Sequence, residues 1–239
     1  MSYSFSMRTI SDIGNPNIKY NYGVITTEIE NAKPEIIRKR LIDVPHIGVN
    51  GGFFKEPAEG YGVPPTILKS ISYWKGDTNQ YNYNGTSSEQ LSRKTFVSYY
   101  EGGQYKAAYH YVKNVSEALA KYPAGTVKAV IGGNDYNDVN WGTAQYYVAL
   151  NRTVLAWDNA KGKAYLIVSH DIDSKVNIGV LKNHLTQMGF NPENSIVLDG
   201  SCSTKMRVPV NGAVKYYGCM HENRYIGNMV RVYGSDHFG

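Results

Sequence analysis

Residues 195–208 read SIVLDGSCSTKMRV, and the sequence changes at Asp199 from mainly apolar residues to small and polar ones. The apolar run Ser195–Leu198 predicts the end of a buried strand. A glycine and several small side chains follow the aspartate, and glycine lets the main chain approach a ligand closely. Two interpretations are open from this segment alone. It is either a tight turn in solvent or a loop whose main chain wraps a ligand.

Two other segments end a strand-like run in a similar way. Residues 48–54 read GVNGGFF and residues 129–135 read AVIGGND, so each apolar run meets a pair of glycines. Successive main-chain N–H groups in such turns can form a concave site for an anion. Any one of these segments by itself predicts no more than an ordinary turn. Their recurrence in one chain favours loops that bind a ligand.

Turn signals between strand-like runs dominate the rest of the sequence. Asn211-Gly212 separates two such runs and is the strongest short hairpin signal in the chain. The segments 101–104 and 159–162 predict two further hairpins.

Three stretches are predicted as helices, at Lys33–Leu41, at residues 116–121 and at Val176–Met188. Many hairpins with two or three helices are typical of an α+β fold, here with mainly antiparallel sheet built of hairpins. No linker or block of charge divides the chain. We therefore expect residues 1–239 to form a single domain, with its core at about residues 20–233.

The composition argues against several classes of protein. Hydrophobic residues are 42% of the chain and charged residues 19%, which is typical of a globular protein. No apolar run reaches the roughly 20 residues that span a membrane. The net charge is +5, but the basic residues form no stripe of the kind that binds nucleic acid. We therefore expect neither a membrane nor a nucleic-acid partner, and the oligomeric state stays open.

The first residues, MSYSFSMRTI, contain no apolar run of signal-peptide length. We therefore expect a cytoplasmic protein, or one that is released by lysis as phage products are.

Charged residues at strand ends are the candidates for chemistry. Asp199 ends one strand, and His170 and Asp171 follow another, so an acid and a proton carrier could meet there. Arg152 and Arg224 stand next to apolar strand residues and could bind a phosphate through the guanidinium fork. Each arginine could equally lie on the surface, and His170 could be an ordinary loop histidine.

Cys202 lies among small residues and could be a nucleophile, but GSCS lacks the GxSxG arrangement, so a packing role is favoured. The sequence does not show whether it pairs with Cys219. Lys205 is interpreted as a solvated side chain. No HExxH, CxxC or EF-hand pattern occurs, so no metal site is predicted. The 21 tyrosines are either half-buried rings on sheets or surfaces for sugar stacking.

Four segments together resemble the phosphodiester glycosidase family. They are Asn50-Gly51-Gly52-Phe53-Phe54 (the family's NGGFF), Asn151-Arg152-Thr153, Asp199-Gly200 with Ser203, Thr204 and Met206 (LDGGGSSTM), and Arg224 with Asn228. The resemblance covers roughly residues 20–233. It departs from the family at Ser201 and Cys202, where the family has glycines, and at Lys205, where it usually has threonine.

The resemblance implies a hydrolase that cuts a sugar 1-phosphodiester at the anomeric carbon. The substrate would be a carbohydrate phosphodiester, for example an N-acetylglucosamine linkage in a bacterial cell-wall or surface glycopolymer, and no cofactor is implied. The implied residues are Asp199 for catalysis, Arg152, Arg224, Gly200, Ser201, Ser203 and Thr204 for the phosphate, and Asn50, Gly51, Gly52 and Asn228 for the sugar. His170 or Asp171 could activate water, at a position where the family often has aspartate-glycine instead.

Two other functions stay open. The same loops could bind a sugar phosphate or a nucleotide sugar without cleaving it, and a cysteine hydrolase could use Cys202.

Overall fold

The structure, a computed structural model, describes residues 3–141 and 143–234. Its strands form three antiparallel sheets, two of five strands and one of four. Strands account for 45% of the structure, and the described α-helices are short. The expected α+β class was therefore wrong. The fold is mainly β, because the α-helices among the described residues are three short segments beside three large sheets.

In chain order the strands are β1 (Tyr3–Ser11), β2 (Lys19–Glu28), β3 (Ala32–Arg40), β4 (Gly48–Asn50), β5 (Ser72–Trp74), β6 (Arg93–Glu101), β7 (Gln104–Val112), β8 (Val127–Gly132), β9 (Thr153–Asp158), β10 (Lys163–Ser169), β11 (Ser195–Val197), β12 (Lys205–Val210), β13 (Ala213–Gly218) and β14 (Tyr225–Val232). The α-helices are α1 (Val115–Leu119), α2 (Thr143–Tyr147) and α3 (Ile178–Gln187). The sheet orders are β1-β2-β10-β9-β11, β13-β12-β4-β14-β3 and β5-β8-β6-β7.

The largest apolar core lies where the three sheets face one another. Leu155 of β9, Val230 of β14 and Phe96 of β6 all belong to it and are fully buried. A second core lies on the other face of the first sheet, where α3 contributes Leu181 and Leu185. Because neighbouring residues of a strand point to opposite faces, both sets of strand side chains of the first sheet are buried. This burial holds the ends of β9, β10 and β11 in fixed positions.

The three predicted hairpins are confirmed as β6–β7, β9–β10 and β12–β13. Asn211 and Gly212, between β12 and β13, have φ angles of 52° and 80°. A two-residue hairpin turn of this type requires the left-handed conformation at both positions, which is why asparagine and glycine predict it so well.

The helix expected at Lys33–Leu41 is wrong, because Ala32–Arg40 form β3 and pair with β14. Buried and partly exposed side chains alternate along the first half of this strand. Pro34 is compatible with a strand here, since β3 lies at the edge of its sheet. A short apolar run fits the spacing of apolar residues in a helix as well as in a strand. Pairing with β14 decides for the strand.

The other two predicted helices are confirmed with shifted ends. α1 begins after Asn114, whose side chain caps the helix by accepting the Glu117 N–H. α3 begins after Asn177, which caps it by accepting the Val180 N–H. Among the described residues, no helix has both the length and the apolar character to cross a membrane.

Candidate functional site

The three glycine-bearing strand ends meet in space. The Asp199 N–H donates to Gly51 O over 3.1 Å, which joins the loop after β11 to the end of β4. Asn134, after β8, exchanges main-chain hydrogen bonds of 2.8 and 2.9 Å with Val197 of β11. Three loops that are far apart in sequence therefore border one region of the protein.

A cavity of about 560 Å³ opens at this region. Among the described residues its charged lining groups are one carboxylate and three guanidinium groups, from Asp199, Arg93, Arg152 and Arg224. Its aromatic walls come from Phe53, Phe54, Tyr61 and Trp141. The volume suits a small molecule, and the excess of arginine suits an anionic one.

Asp199 reaches the cavity while its carboxyl group is enclosed by protein. Burial raises the pKa of this carboxyl from 3.8 to about 6. A hydrogen bond from Ser203, the Gly200 N–H over 3.0 Å and the positive charges of Arg224 and Arg152 all oppose the rise. The carboxyl is therefore ionised at neutral pH but gains a proton under mildly acidic conditions.

Arg152 is held rigidly in the cavity wall and is only 2% exposed. Its Nε donates to Val176 O over 3.1 Å, and its Nη2 donates to Gln145 O and Val148 O over 3.1 and 2.8 Å. Burial lowers the pKa of the guanidinium to about 10, with Asp199 opposing the change. The group is thus a cation at neutral pH whose position is set by main-chain carbonyls.

Arg224 approaches the cavity from the loop before β14. Its Nε and Nη2 donate to the two carboxylate oxygens of Glu222 over 2.8 and 3.0 Å. Its guanidinium carbon lies 3.9 Å from the centre of the Tyr61 ring. A fork-to-carboxylate pair and a stacked ring together orient the guanidinium.

The loop after Asp199 contains a single 3-10 turn, Ser201–Ser203. Ser201 has a φ of 57°, a conformation that glycine adopts more readily, and its N–H donates to Asn151 O over 2.8 Å. Gly200, Ser201 and Ser203 line the cavity. Thr204 is fully buried and is not among the lining residues. Three of the four loop residues expected to bind phosphate are thus accessible to a ligand.

Asn50 supports this loop from behind the cavity wall and is 1% exposed. Its Nδ2 donates to Asp199 O over 2.8 Å. Its Oδ1 accepts from Thr153 Oγ1 and from the Lys205 N–H over 2.7 and 3.1 Å. The geometry is that of a residue that positions Asp199.

The other residues expected to contact a sugar are also packed inside the protein. Asn228 is 2% exposed, and its main-chain oxygen accepts the Gly51 N–H over 2.8 Å. A Cβ atom on Gly52 would lie 2.4 Å from Ser70 Cβ and 2.8 Å from Gly132 O. The glycines of the NGG segment permit close contact between β4, β14 and β8.

Gly52→Ala should therefore destabilise the protein by about 2–4 kcal/mol, because a main-chain oxygen blocks the new methyl group. Urea unfolding measures the change. Gly62→Ala is the matched control, since a Cβ there meets nothing within 4 Å. Equal midpoints for the two variants would contradict the packing role of Gly52.

His170 and Asp171 are not among the residues that line the cavity. His170 Nδ1 accepts the Gly218 N–H over 3.3 Å. Asp171 accepts the Ile172 N–H over 2.7 Å and so caps a 3-10 turn. The structure does not bring these two side chains to the Asp199 carboxyl.

Cys202 and Cys219 form a disulfide bond, and no free cysteine is present in the described chain. A hydrolase that uses the Cys202 thiol is therefore excluded in this state. Lys205 is buried rather than solvated, because its Nζ donates to the main-chain oxygens of Cys219 and Glu222. Both features hold the loop that carries Glu222 against β12.

Sequence reasoning missed Tyr61, Arg93 and Trp141 in the cavity wall. Arg93 could have been found by the criterion applied to Arg152, because it is also an arginine at the start of a strand. Its guanidinium carbon lies 5.0 Å from the Phe53 ring centre. Tyr61 and Trp141 lie in irregular segments, where only the tertiary structure identifies them.

Comparison with solved structures relates the fold to known proteins. The catalytic domain of zebrafish N-acetylglucosamine-1-phosphodiester α-N-acetylglucosaminidase, auto-inhibited by its pro-peptide, has a TM-score of 0.61 and 14% identity. The match covers 96% of this chain and 82% of that domain. A hypothetical protein from Synechocystis has a TM-score of 0.54 and 14% identity, and 62% of its chain is covered. No protein-family model and no curated protein sequence matches the chain. The chain is thus similar in fold to a glycosidase catalytic domain.

Proposed function

We propose that this protein is a hydrolase that cleaves a sugar 1-phosphodiester at the anomeric carbon. The observation that carries the proposal is the cavity in which Arg152, Arg224 and the loop 200–203 surround the carboxyl of Asp199. The four sequence segments and the shared fold support membership of the phosphodiester glycosidase family.

The arginines suit the leaving group of this reaction. A phosphodiester stays anionic at neutral pH and leaves without a proton from the protein. The protein must instead stabilise the negative charge on the departing oxygens, and fixed cations in a partly dry cavity do this well. Arg152, held by three carbonyl oxygens, and Arg224, held by Glu222, are fixed in this sense.

Asp199 suits the sugar side of the reaction. The anomeric carbon gains positive charge as the bond to oxygen breaks, and a carboxylate stabilises or attacks it. The proposal makes the ionised Asp199 carboxylate the catalytic group. Phe53, Tyr61 and Trp141 offer flat apolar surfaces of the kind on which sugar rings pack.

A pH profile tests the role of Asp199. The active form is the carboxylate, so kcat/KM should rise as pH increases through the pKa of about 6 and level off near neutrality. One unit below this pKa the rate should be about tenfold below the plateau. The rate is measured between pH 4.5 and 8 with a phosphodiester substrate that stays ionised throughout. A flat profile across this range would contradict the assignment.

A product assay tests the reaction itself. The protein is incubated with UDP-N-acetylglucosamine, a sugar α-1-phosphodiester, and separately with purified Gram-positive wall polymer. Free reducing sugar and phosphate-bearing product are both measured. Release of both products supports the hydrolase, and the preferred substrate decides between a nucleotide sugar and a wall polymer.

One observation favours a second function. Asp199 is the only carboxylate that lines the cavity among the described residues, whereas most glycosidases use two. A module that binds a sugar phosphate without cleaving it needs no second carboxylate. Saturable binding of UDP-N-acetylglucosamine, with no product after long incubation, would establish this function and refute the hydrolase.

A further inference from the structure

Cys202, Cys219 and His221 form a cluster of potential metal ligands next to the loop after β11. Each offers one ligand atom, and the three atoms lie within 4.8 Å of one another. None of the three residues lines the cavity that contains Asp199. The cluster is therefore a separate feature of the molecule with its own chemistry.

The separation of the His221 imidazole nitrogen from each sulfur suits a tetrahedral metal ion, whereas the two sulfurs are bonded to each other until the disulfide is reduced. The His221 Nε2 atom lies 3.2 Å from Cys202 Sγ and 3.7 Å from Cys219 Sγ. A zinc ion binds sulfur at about 2.3 Å and nitrogen at about 2.0–2.1 Å, which places ligand nitrogen and sulfur atoms about 3.5 Å apart in a tetrahedron. The imidazole thus already stands at the right separation from both sulfurs.

We propose that the reduced form of this protein binds one Zn²⁺ ion through Cys202, Cys219 and His221. The disulfide takes two electrons and two protons from a dithiol, which itself becomes a disulfide, and the two cysteines become thiols. Zn²⁺ then displaces the two thiol protons and binds the thiolates and the neutral imidazole. The metal site and the disulfide cannot exist at the same time, because both use the same two sulfur atoms.

The surroundings of the cluster fit this chemistry. Cys219 is fully buried and Cys202 is 6% exposed, so little water competes for the sulfurs, while the exposed His221 gives an ion a path of entry. Three protein ligands leave a fourth position for water. The bound ion would link the loop after β11 to the loop after β13, as the disulfide does in the oxidised form. No contiguous sequence motif contains these ligands, since 16 residues separate the two cysteines.

Cobalt titration of the full chain tests the proposal. The protein is reduced with dithiothreitol, freed of reductant without oxygen, and checked for two free thiols per chain. Addition of Co²⁺ should then produce thiolate-to-cobalt charge-transfer absorption and the visible bands of a tetrahedral site, saturating at one ion per chain. Zn²⁺ should remove both signals by displacing cobalt, and the oxidised chain should give neither.

Two variants make the test specific. His221→Ala should weaken Co²⁺ and Zn²⁺ binding by more than about tenfold, because it removes a direct ligand. His110→Ala is the matched control, since that imidazole lies on β7, hydrogen-bonds the Tyr122 hydroxyl and should leave metal binding unchanged. Absence of the absorption bands from the reduced wild-type chain would overturn the proposal. So would equal affinities of the wild-type chain and His221→Ala, which would show that the thiols bind without the imidazole.

Discussion

Replacing Asp199 by asparagine should remove activity and make the protein more stable. The carboxylate is the proposed catalytic group, so kcat should fall by about 10³-fold or more. Asparagine keeps the shape of the side chain, its oxygen can still accept the Gly200 N–H, and its amide can donate to Ser203 Oγ. The loss of activity should therefore occur in a folded protein.

The gain in stability follows from the raised pKa of Asp199. The carboxyl has a pKa of about 6 in the folded protein against 3.8 for the free group. Folding therefore favours the protonated form, and the free energy of unfolding falls as pH rises from about 4 to about 6. Asparagine resembles the protonated form, so the variant should be more stable at pH 7.5 by up to about 3 kcal/mol.

Urea unfolding at two pH values measures this effect. The difference between the variant and the wild-type protein should be large at pH 7.5 and should shrink toward zero at pH 4. Asp173→Asn is the matched control, because that residue is exposed and its change should be within about 0.5 kcal/mol at both pH values. If Asp199→Asn is as active as the wild-type protein, the catalytic role of Asp199 is wrong. If the variant is less stable than wild type at pH 7.5, the electrostatic argument is wrong.

Replacing Arg152 by methionine should reduce kcat/KM and shift the pH profile. Loss of one fixed donor to developing negative charge typically costs 10²–10³-fold, and we expect a decrease of about this size. The positive charge of Arg152 also lowers the pKa of Asp199. Without it the acid limb of the profile should move above pH 6, which a purely structural role of Arg152 would not produce.

Arg93→Met provides the matched comparison in the same cavity. Arg93 is a lining arginine, but within the described part of the chain the cations that lower the pKa of Asp199 are Arg224 and Arg152. The acid limb of Arg93→Met should therefore coincide with that of the wild-type enzyme. If the two variants shift the limb equally, or if Arg152→Met keeps kcat/KM within twofold of wild type, the assigned role of Arg152 is wrong.

Local chemistry explains why the sequence alone predicted the hairpins and the loops of the candidate site. Asn211 and Gly212 specify their turn because few other residues adopt its positive φ angles. The glycine-rich strand ends at residues 50–52 and 199–200 are predictable for a different reason, since close main-chain contact needs a residue without a side chain. The sequence makes Asp199, Arg152 and Arg224 candidates because a charge next to a buried strand is unusual, and all three line the cavity.

The tertiary structure decided everything that depends on partners distant in sequence. β3 is a strand because β14 pairs with it, although its apolar spacing also fits a helix. Asn50 lies behind the cavity because its amide joins Asp199 to β9. Lys205 is buried because the main-chain oxygens of Cys219 and Glu222 accept its hydrogen bonds. β10 ends beside Arg152, but His170 is not among the lining residues, because its N–H donates to Asn21 O and its Nδ1 accepts the Gly218 N–H. Such contacts arise only when sheets pack, since packing selects among conformations that each local segment could adopt alone.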